Sequence, residues 1–279
     1  MIESVRHSKA WFWLTAPIAV LLAIAAGGGL FIRGLYHDTP DFAAQAVGQD
    51  MISLAVVLPT LLVSAFLANS GSARARLVWL GGLVYLVYTY VVAAFDVRFN
   101  SLFLVYVALL GCSLYALIGG LVMTNMAEIK ASFTLKTPVR AVSVYLTVLA
   151  VLFYFLWLSE VVPALVAGKV PQSIQDNGTP TNGVHVLDMA WILPAFGIAA
   201  VSLWRRQGLG YTLAGTLLAY SVLLITAILG MVLAMAREGF PVVGPQVVTF
   251  GVILAANFGM LVWYLKGGAQ PSTEILRKL

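Results

Sequence analysis

Eight long apolar runs constrain the fold of this chain more than any other feature. An α-helix rises about 1.5 Å per residue, so about 20 apolar residues cross the roughly 30 Å hydrocarbon core of a bilayer. Most of the runs reach that length. They are Trp11–Ile32, Gln49–Ala68, Leu77–Phe95, Ser101–Met126, Val139–Val161, Leu187–Trp204, Tyr211–Ala236 and Val247–Leu265. The sequence therefore predicts an all-α integral membrane protein with eight transmembrane helices, forming a single polytopic domain over residues 1–279.

The composition supports this class and excludes a nucleic-acid-binding one. Hydrophobic residues make up 61% of the chain and charged residues only 10%, whereas a soluble domain carries about a quarter charged residues. The net charge of +5 comes from cations in short loops beside the apolar runs, where such residues set membrane topology. We therefore expect the lipid bilayer as a partner and no nucleic acid.

The cations also predict the orientation. If both termini lie on one side of the membrane, that side carries twelve of the sixteen Lys and Arg residues, and the other side carries eight of the eleven carboxylates. Cytoplasmic loops collect Lys and Arg. We therefore predict a multi-pass protein of the cell (inner) membrane with cytoplasmic N- and C-termini and an acidic outer face.

Known catalytic and cofactor-binding motifs are missing. The single cysteine, Cys112, excludes an intrachain disulfide and a multi-cysteine metal site. The chain has no phosphate-binding glycine loop, no dinucleotide fingerprint and no paired-histidine zinc motif. We therefore expect no cofactor and no metal, and we assign no catalytic residue.

An internal repeat is suggested by markers that recur in the same order. Thr39-Pro40, Asp50, Leu58-Pro59 and Tyr85 occur in the first half, and Thr179-Pro180, Asp188, Leu193-Pro194 and Tyr220 occur in the second. The predicted halves are 11–126 and 139–265, arranged as a 4+4 parallel repeat. Chance recurrence of common loop and span residues is the alternative.

Each half has a proline inside its second span. Pro59 and Pro194 have no backbone N–H, so they cannot donate the helical hydrogen bonds that the carbonyls of Ala55 and Ala190 would otherwise accept. Paired interruptions in corresponding helices point to a binding site in transporters, whereas a simple packing kink is the alternative.

Asp188 is the leading candidate for a functional residue. The sixth apolar run is short, which predicts that Asp188 lies at or below the outer edge of the hydrocarbon, with His185 three residues earlier on the same helix face. An ionisable side chain at such a depth is costly and often functional. The alternative is a helix cap, because a carboxylate stabilises the start of a helix.

Two further carboxylates and two phenols complete the candidate site. Glu160 lies near the outer end of the fifth span, where it binds a ligand or proton or merely reaches the headgroups. Asp50 begins the second span, where capping is the simpler role. Tyr85 and Tyr88 share a face of the third span and either line a polar cavity or pack with satisfied hydroxyls.

Three functions fit these observations. The first is binding or transport of a small polar, cationic or proton-coupled solute in an outward-facing cavity between spans two, five and six, through Asp188, Glu160 and Asp50 with His185 beside them. The second is a sensor or assembly component whose outer loops, Arg33–Gly48 and Gly168–Val186, bind a membrane protein partner. The third is a membrane enzyme that uses an outer carboxylate and His185 as acid and base.

Overall fold

The protein is an all-α, polytopic bundle, and the part of the chain that the structure describes contains eight helices long and apolar enough to cross a membrane. The structure is a computed structural model that describes residues 11–242 and 244–267. The spans, numbered 1 to 8 in chain order, are Trp11–Phe31, Pro40–Asn69, Ala73–Phe95, Phe103–Val122, Val139–Val166, Gly183–Trp204, Gly208–Arg237 and Gly244–Lys266. The predicted fold class is thus confirmed. Four of the predicted cytoplasmic cations, Arg6, Lys9, Arg277 and Lys278, lie outside the described residues.

The loops between the spans alternate between two ends of the bundle. The basic end carries loops 70–72, 123–138 and 205–207, and a short helix, Met126–Ala131, lies there between spans 4 and 5. The acidic end carries loops 32–39, 96–102, 167–182 and 238–242, with the short helix Gln172–Asn177 between spans 5 and 6. All the candidate carboxylates belong to the half of the bundle next to the acidic end.

Five spans begin earlier than hydropathy alone predicts, and the shifts of spans 2 and 6 affect the candidate site. Span 2 starts at Pro40 rather than Gln49, because Pro at the first helical position is pre-organised for a helix and lacks only an amide that would be unpaired there. Span 6 starts at Gly183 rather than Leu187. It is therefore not a short span, and Asp188 follows a complete helical turn instead of beginning the helix.

Each predicted proline interruption coincides with a turn of π-helix. The π turns are Ser53–Val57 and Asp188–Ile192, each followed directly by Leu-Pro. In each turn the amide of the following leucine donates to the carbonyl five residues earlier, so Leu193 donates to Asp188. The carbonyl of Met189, five residues before Pro194, accepts the Tyr154 hydroxyl at 2.8 Å instead. A side chain of span 5 therefore satisfies a carbonyl next to the proline interruption.

Equivalent features of the two halves recur 135 positions apart. The first π turn begins at Ser53 and the second at Asp188, and spans 3 and 7 begin at Ala73 and Gly208. Tyr85 and Tyr220 keep the same separation. This common spacing supports the predicted repeat of 11–126 and 139–265, which stays a prediction. At this spacing Asp188 corresponds to Ser53, not to Asp50.

Spans 3 and 7 form the centre of the bundle. They are the most buried spans, and spans 5 and 8 are the most peripheral. Glycine permits the central helices to approach closely, because a Cβ at Gly81 would lie 2.6 Å from the Thr216 carbonyl oxygen. Spans 2 and 7 meet in the same way, since a Cβ at Gly48 would lie 2.4 Å from the Gly230 carbonyl oxygen. These crossings fix the helices that carry the candidate site.

Candidate functional site

Asp188 is buried where spans 3, 5 and 6 meet. It is the first residue of the second π turn, and only 7% of it is exposed. Its Oδ1 accepts the Tyr88 hydroxyl at 3.1 Å, and its Oδ2 accepts the Trp157 indole N–H at 2.8 Å. Both donors are neutral. Within the described residues, no Lys or Arg pairs with Asp188, and the ion pair found there joins His185 to Glu160.

His185 and Glu160 extend this group toward the acidic end. His185 Nε2 lies 3.6 Å from Glu160 Oε2, and the His185 ring lies 4.5 Å from the Trp157 ring. His185 is buried, whereas the Glu160 side chain is 29% exposed. Glu160 Oε1 also accepts the Ser173 amide at 3.0 Å. These contacts define the Asp188 cluster, which consists of Asp188, His185, Glu160, Tyr88 and Trp157.

Loop residues fix the start of span 6, and with it the position of His185 and Asp188. Asn182 caps the helix by accepting the His185 amide at 3.1 Å. Asp96, after span 3, accepts the Gly183 amide at 2.8 Å. Burial raises the pKa of the Asp96 carboxyl, although the bond from Gly183 opposes the rise. The cap role considered for Asp188 therefore belongs to Asn182.

Asp50 lies in a separate group of polar contacts. It is 8% exposed, and its Oδ2 accepts the Tyr36 hydroxyl at 2.5 Å. Gly29 of span 1 leaves room for that oxygen, since a Cβ there would overlap it. Burial and the neighbouring Asp50 charge raise the pKa of Tyr36, so the phenol keeps its proton and donates it. Asp50 is thus neither a simple cap nor a member of the Asp188 cluster.

The two predicted tyrosines have different roles in these contacts. Tyr88 joins the Asp188 cluster directly, while the Tyr85 hydroxyl lies 3.1 Å from the Ser53 hydroxyl. Of the six candidate residues, the structure brings together Asp188, His185, Glu160 and Tyr88. It places Asp50 and Tyr85 elsewhere, on the side of span 3 that contacts span 2.

A cavity of about 30 Å³ lies next to Asp188, on its basic-end side, between spans 5, 6, 7 and 8. Its polar lining residues are Asp188, Tyr220, Ser221 and Asn257. Within the described residues, the Tyr220 hydroxyl and Asn257 Nδ2 have no hydrogen-bond partner, while Asn257 Oδ1 accepts the Tyr145 hydroxyl at 2.8 Å. Spans 5 and 6, which the sequence analysis placed at the candidate site, bound this cavity, whereas span 2 does not.

A larger groove of about 520 Å³ opens at the acidic end beside the other carboxylate. It is bounded by spans 1, 2 and 7 and the loops next to them, and Tyr36 lines it together with Arg33, Arg237 and Glu238. Tyr36 therefore stands between the groove and Asp50.

Sequence reasoning missed several residues of the site, namely Trp157, Tyr36, Tyr220 and Asn257. Trp157 looks like an interfacial indole, and Tyr220 served only as a repeat marker. Asn257 did leave a signal, because it is an amide within the apolar run of span 8. A polar side chain at that depth normally seeks a partner inside the bundle.

Metal binding finds no support in the geometry. Among residues 11–242 and 244–267, no three His, Cys, Asp or Glu side chains are grouped closely enough to hold a metal ion.

No protein-family model matches this chain, and neither a curated protein nor a solved structure does. The site must therefore be interpreted from its own chemistry.

Proposed function

We propose that the protein is a cell-membrane carrier that binds a small cationic solute at Asp188 and exchanges it for a proton. The observation that carries this proposal is the burial of Asp188 inside a membrane span with only neutral donors, Tyr88 and Trp157, as hydrogen-bond partners.

The argument starts from the energy of a buried charge. An ionised carboxylate in a low-dielectric site is costly unless a positive charge or a proton neutralises it. Two hydrogen bonds offset part of that cost, and no Lys or Arg side chain supplies the remainder in the described residues. A proton and a solute cation would therefore compete for the same carboxylate. Competition at one buried site is the simplest basis for exchange of the two.

His185 and Glu160 connect this carboxylate with the acidic end. The imidazole precedes Asp188 by three residues on the same helix face, and it contacts Glu160 at 3.6 Å. Glu160 is the part-exposed member. A proton or cation that arrives from the acidic side would meet Glu160 first, then His185, then Asp188. The other titratable groups near Asp188 are Tyr88, Tyr220 and Asp96.

The charge distribution favours the direction of access. On the positive-inside rule the basic end is cytoplasmic, so the acidic end faces outward. An acidic surface raises the local concentration of cations at the outer opening. The proposed arrangement is therefore a cation-attracting outer face that leads to a buried, neutralisable carboxylate.

Purified protein in proteoliposomes that enclose a pH dye tests the proposal. An outward-directed proton gradient should drive uptake of a small cation from an outside panel, with matched dissipation of the gradient. Asp188→Asn should abolish this flux while the protein still elutes as a folded species. The control is Asp176→Asn, because Asp176 is an exposed carboxylate whose recorded side-chain contact is with Gln172. Absence of flux across the panel, or unchanged flux in Asp188→Asn, would overturn the proposal.

A further inference from the structure

We infer that the cavity beside Asp188 is the binding site of a small primary ammonium cation, of the size of ammonium or methylammonium. The inference rests on the proposed function, because both depend on Asp188, and it adds the chemical class of the solute. The observations that carry it are the polar lining of the cavity, its unpaired groups, its aromatic walls and its volume.

The polar lining residues suit an N–H donor that carries a positive charge. Asp188 offers a carboxylate, and Tyr220 and Ser221 offer hydroxyl oxygens. All are at least nine-tenths buried, and the Ser221 hydroxyl donates to the Leu217 carbonyl, which leaves its oxygen free to accept. A primary ammonium group has three N–H donors, which matches three acceptors of this kind. Hydrogen bonds to a charged group are the strong ones.

Two buried polar groups in the cavity have no hydrogen-bond partner among the residues that the structure describes, which is unusual in a folded interior. They are the Tyr220 hydroxyl and Asn257 Nδ2, and each residue is only 1% exposed. The Asn257 amide can rotate by 180° and exchange its donor and acceptor, since Tyr145 can either donate to it or accept from it. Asn257 can therefore present an acceptor to a bound cation.

Three aromatic rings line the cavity beside leucine and isoleucine side chains. Phe153 and Phe196 line the cavity together with the ring of Tyr220. Ring faces attract cations, and the attraction is stronger when water is excluded. A bare metal ion would find few oxygen ligands here, whereas an ammonium ion can combine hydrogen bonds with ring contacts.

The volume limits the solute. A cavity of about 30 Å³ holds two or three water molecules, at roughly 10–15 Å³ for each. A cation of one or two non-hydrogen atoms fits such a space. Tetramethylammonium is too large and has no N–H donor.

The equivalent positions in the first half have the same π turn and tyrosine, but their polar groups pair with each other. Ser53 stands where the second half has Asp188, and its hydroxyl pairs with Tyr85 at 3.1 Å. Tyr220, which corresponds to Tyr85, has no such partner. At this pair of positions the first half thus satisfies its own hydroxyl groups, whereas the second half leaves the Tyr220 hydroxyl for a ligand.

Binding of labelled methylammonium to the full-length protein in nanodiscs tests this inference. We expect saturable binding at one site. Ammonium chloride should compete for this site, and tetramethylammonium chloride at the same concentration should not. Tyr220→Phe should weaken binding about tenfold or more, because it removes one hydrogen bond to a charged group. Asn257→Leu should abolish binding by filling the cavity, and Ser221→Ala should weaken it. Tyr211→Phe removes a phenol from the same span near the basic end and is the matched control.

The outcomes separate this inference from the proposed function. If another cation drives proton flux that depends on Asp188 while methylammonium does not bind, the exchange proposal stands and the ammonium site falls. If methylammonium binds as expected without any flux, the site stands and the transport proposal falls. Binding that is equal in Tyr220→Phe and the control, or competition by tetramethylammonium, overturns the inference. Circular dichroism and gel filtration confirm that each variant is folded.

Discussion

The hydrogen bond from Trp157 to Asp188 can report whether the buried carboxylate carries its charge. The indole N–H lies 2.8 Å from Asp188 Oδ2, and Trp157→Phe removes the donor while it keeps an aromatic ring. Side-chain hydrogen bonds between spans contribute about 0.6 kcal/mol on average in double-mutant cycles, whereas a bond to a charged group contributes about 1.5–3 kcal/mol. The two states of the carboxylate therefore differ by a measurable amount.

We expect the coupling energy between Trp157→Phe and Asp188→Asn to be about 1.5–3 kcal/mol at alkaline pH, where an unoccupied carboxylate is ionised. At acidic pH, where it holds a proton, the coupling should fall toward about 0.6 kcal/mol. The measurement is reversible unfolding in mixed micelles as the denaturing detergent increases, for the parent, both single variants and the double variant. His185, Glu160 and Asp96 are present in all four proteins, so their contributions that are independent of the pair cancel.

A second cycle provides the control. Trp191 lies three residues from Asp188 on the same π turn and is half-buried. Its indole donates no hydrogen bond to any residue that the structure describes. Trp191→Phe combined with Asp188→Asn should therefore give little coupling at either pH. If the Trp157 cycle matches this control at both pH values, the buried carboxylate is not held by the indole, and the reasoning from an uncompensated charge fails.

Three further predictions concern packing, pH dependence and orientation. Gly48→Ala should lower stability by about 1–2 kcal/mol, because a methyl group 2.4 Å from the backbone of span 7 would force the two helices apart, and this cost exceeds the higher helix propensity of alanine. Gly197→Ala is the control: its surroundings are open, so it should be neutral or stabilising in the same unfolding assay. Burial raises the pKa of the Asp96 carboxyl in the folded protein above its ordinary value of 3.8. Its contribution to the free energy of unfolding is therefore present below pH 3.8 and is lost as the pH rises through the pKa of the folded state. Asp96→Asn should leave stability unchanged in acid, increase it near neutral pH and flatten the dependence of stability on pH. In a cysteine-free background, Lys169→Cys should react with an impermeant maleimide on intact cells and Lys136→Cys only after lysis; the reverse pattern would contradict the predicted orientation.

Hydropathy predicted the spans because the requirement is local. A helix in lipid satisfies its own backbone hydrogen bonds, so length and apolarity are sufficient to find it. The errors lie at the ends. Residues 40–48 are too polar to count as part of a span, yet Thr39-Pro40 is a helix-start signal, and the helix begins there. Hydropathy measures where lipid begins, whereas the helix starts where its first turn is favourable.

Asp188 could be singled out as a candidate site residue because a carboxylate in an apolar run is costly wherever its neighbours lie. Its partners could not. Tyr88 is 100 positions away in sequence and Trp157 is 31 positions away, and only helix packing brings them together. Trp157 also has two plausible environments, since an indole suits both a headgroup region and a buried hydrogen bond. Sequence pattern alone does not distinguish them.

The comparison of the halves explains why Asp50 and Asp188 seemed to be equivalent. Both are carboxylates near the outer end of the second span of a half. Asp188, however, is the first residue of its π turn, whereas Asp50 lies three residues before the other π turn. At the common spacing, Asp50 corresponds to His185 and Ser53 to Asp188. Three residues make nearly one helical turn. The two carboxylates therefore lie on equivalent faces of spans 2 and 6 but at different depths. The deeper one begins a π turn next to unpaired polar groups, and the shallower one is bound by Tyr36 beside the outer groove. The same helical framework therefore places one carboxylate beside the outer groove and the other at the cavity, where the proposed function requires a proton or a cation to neutralise it.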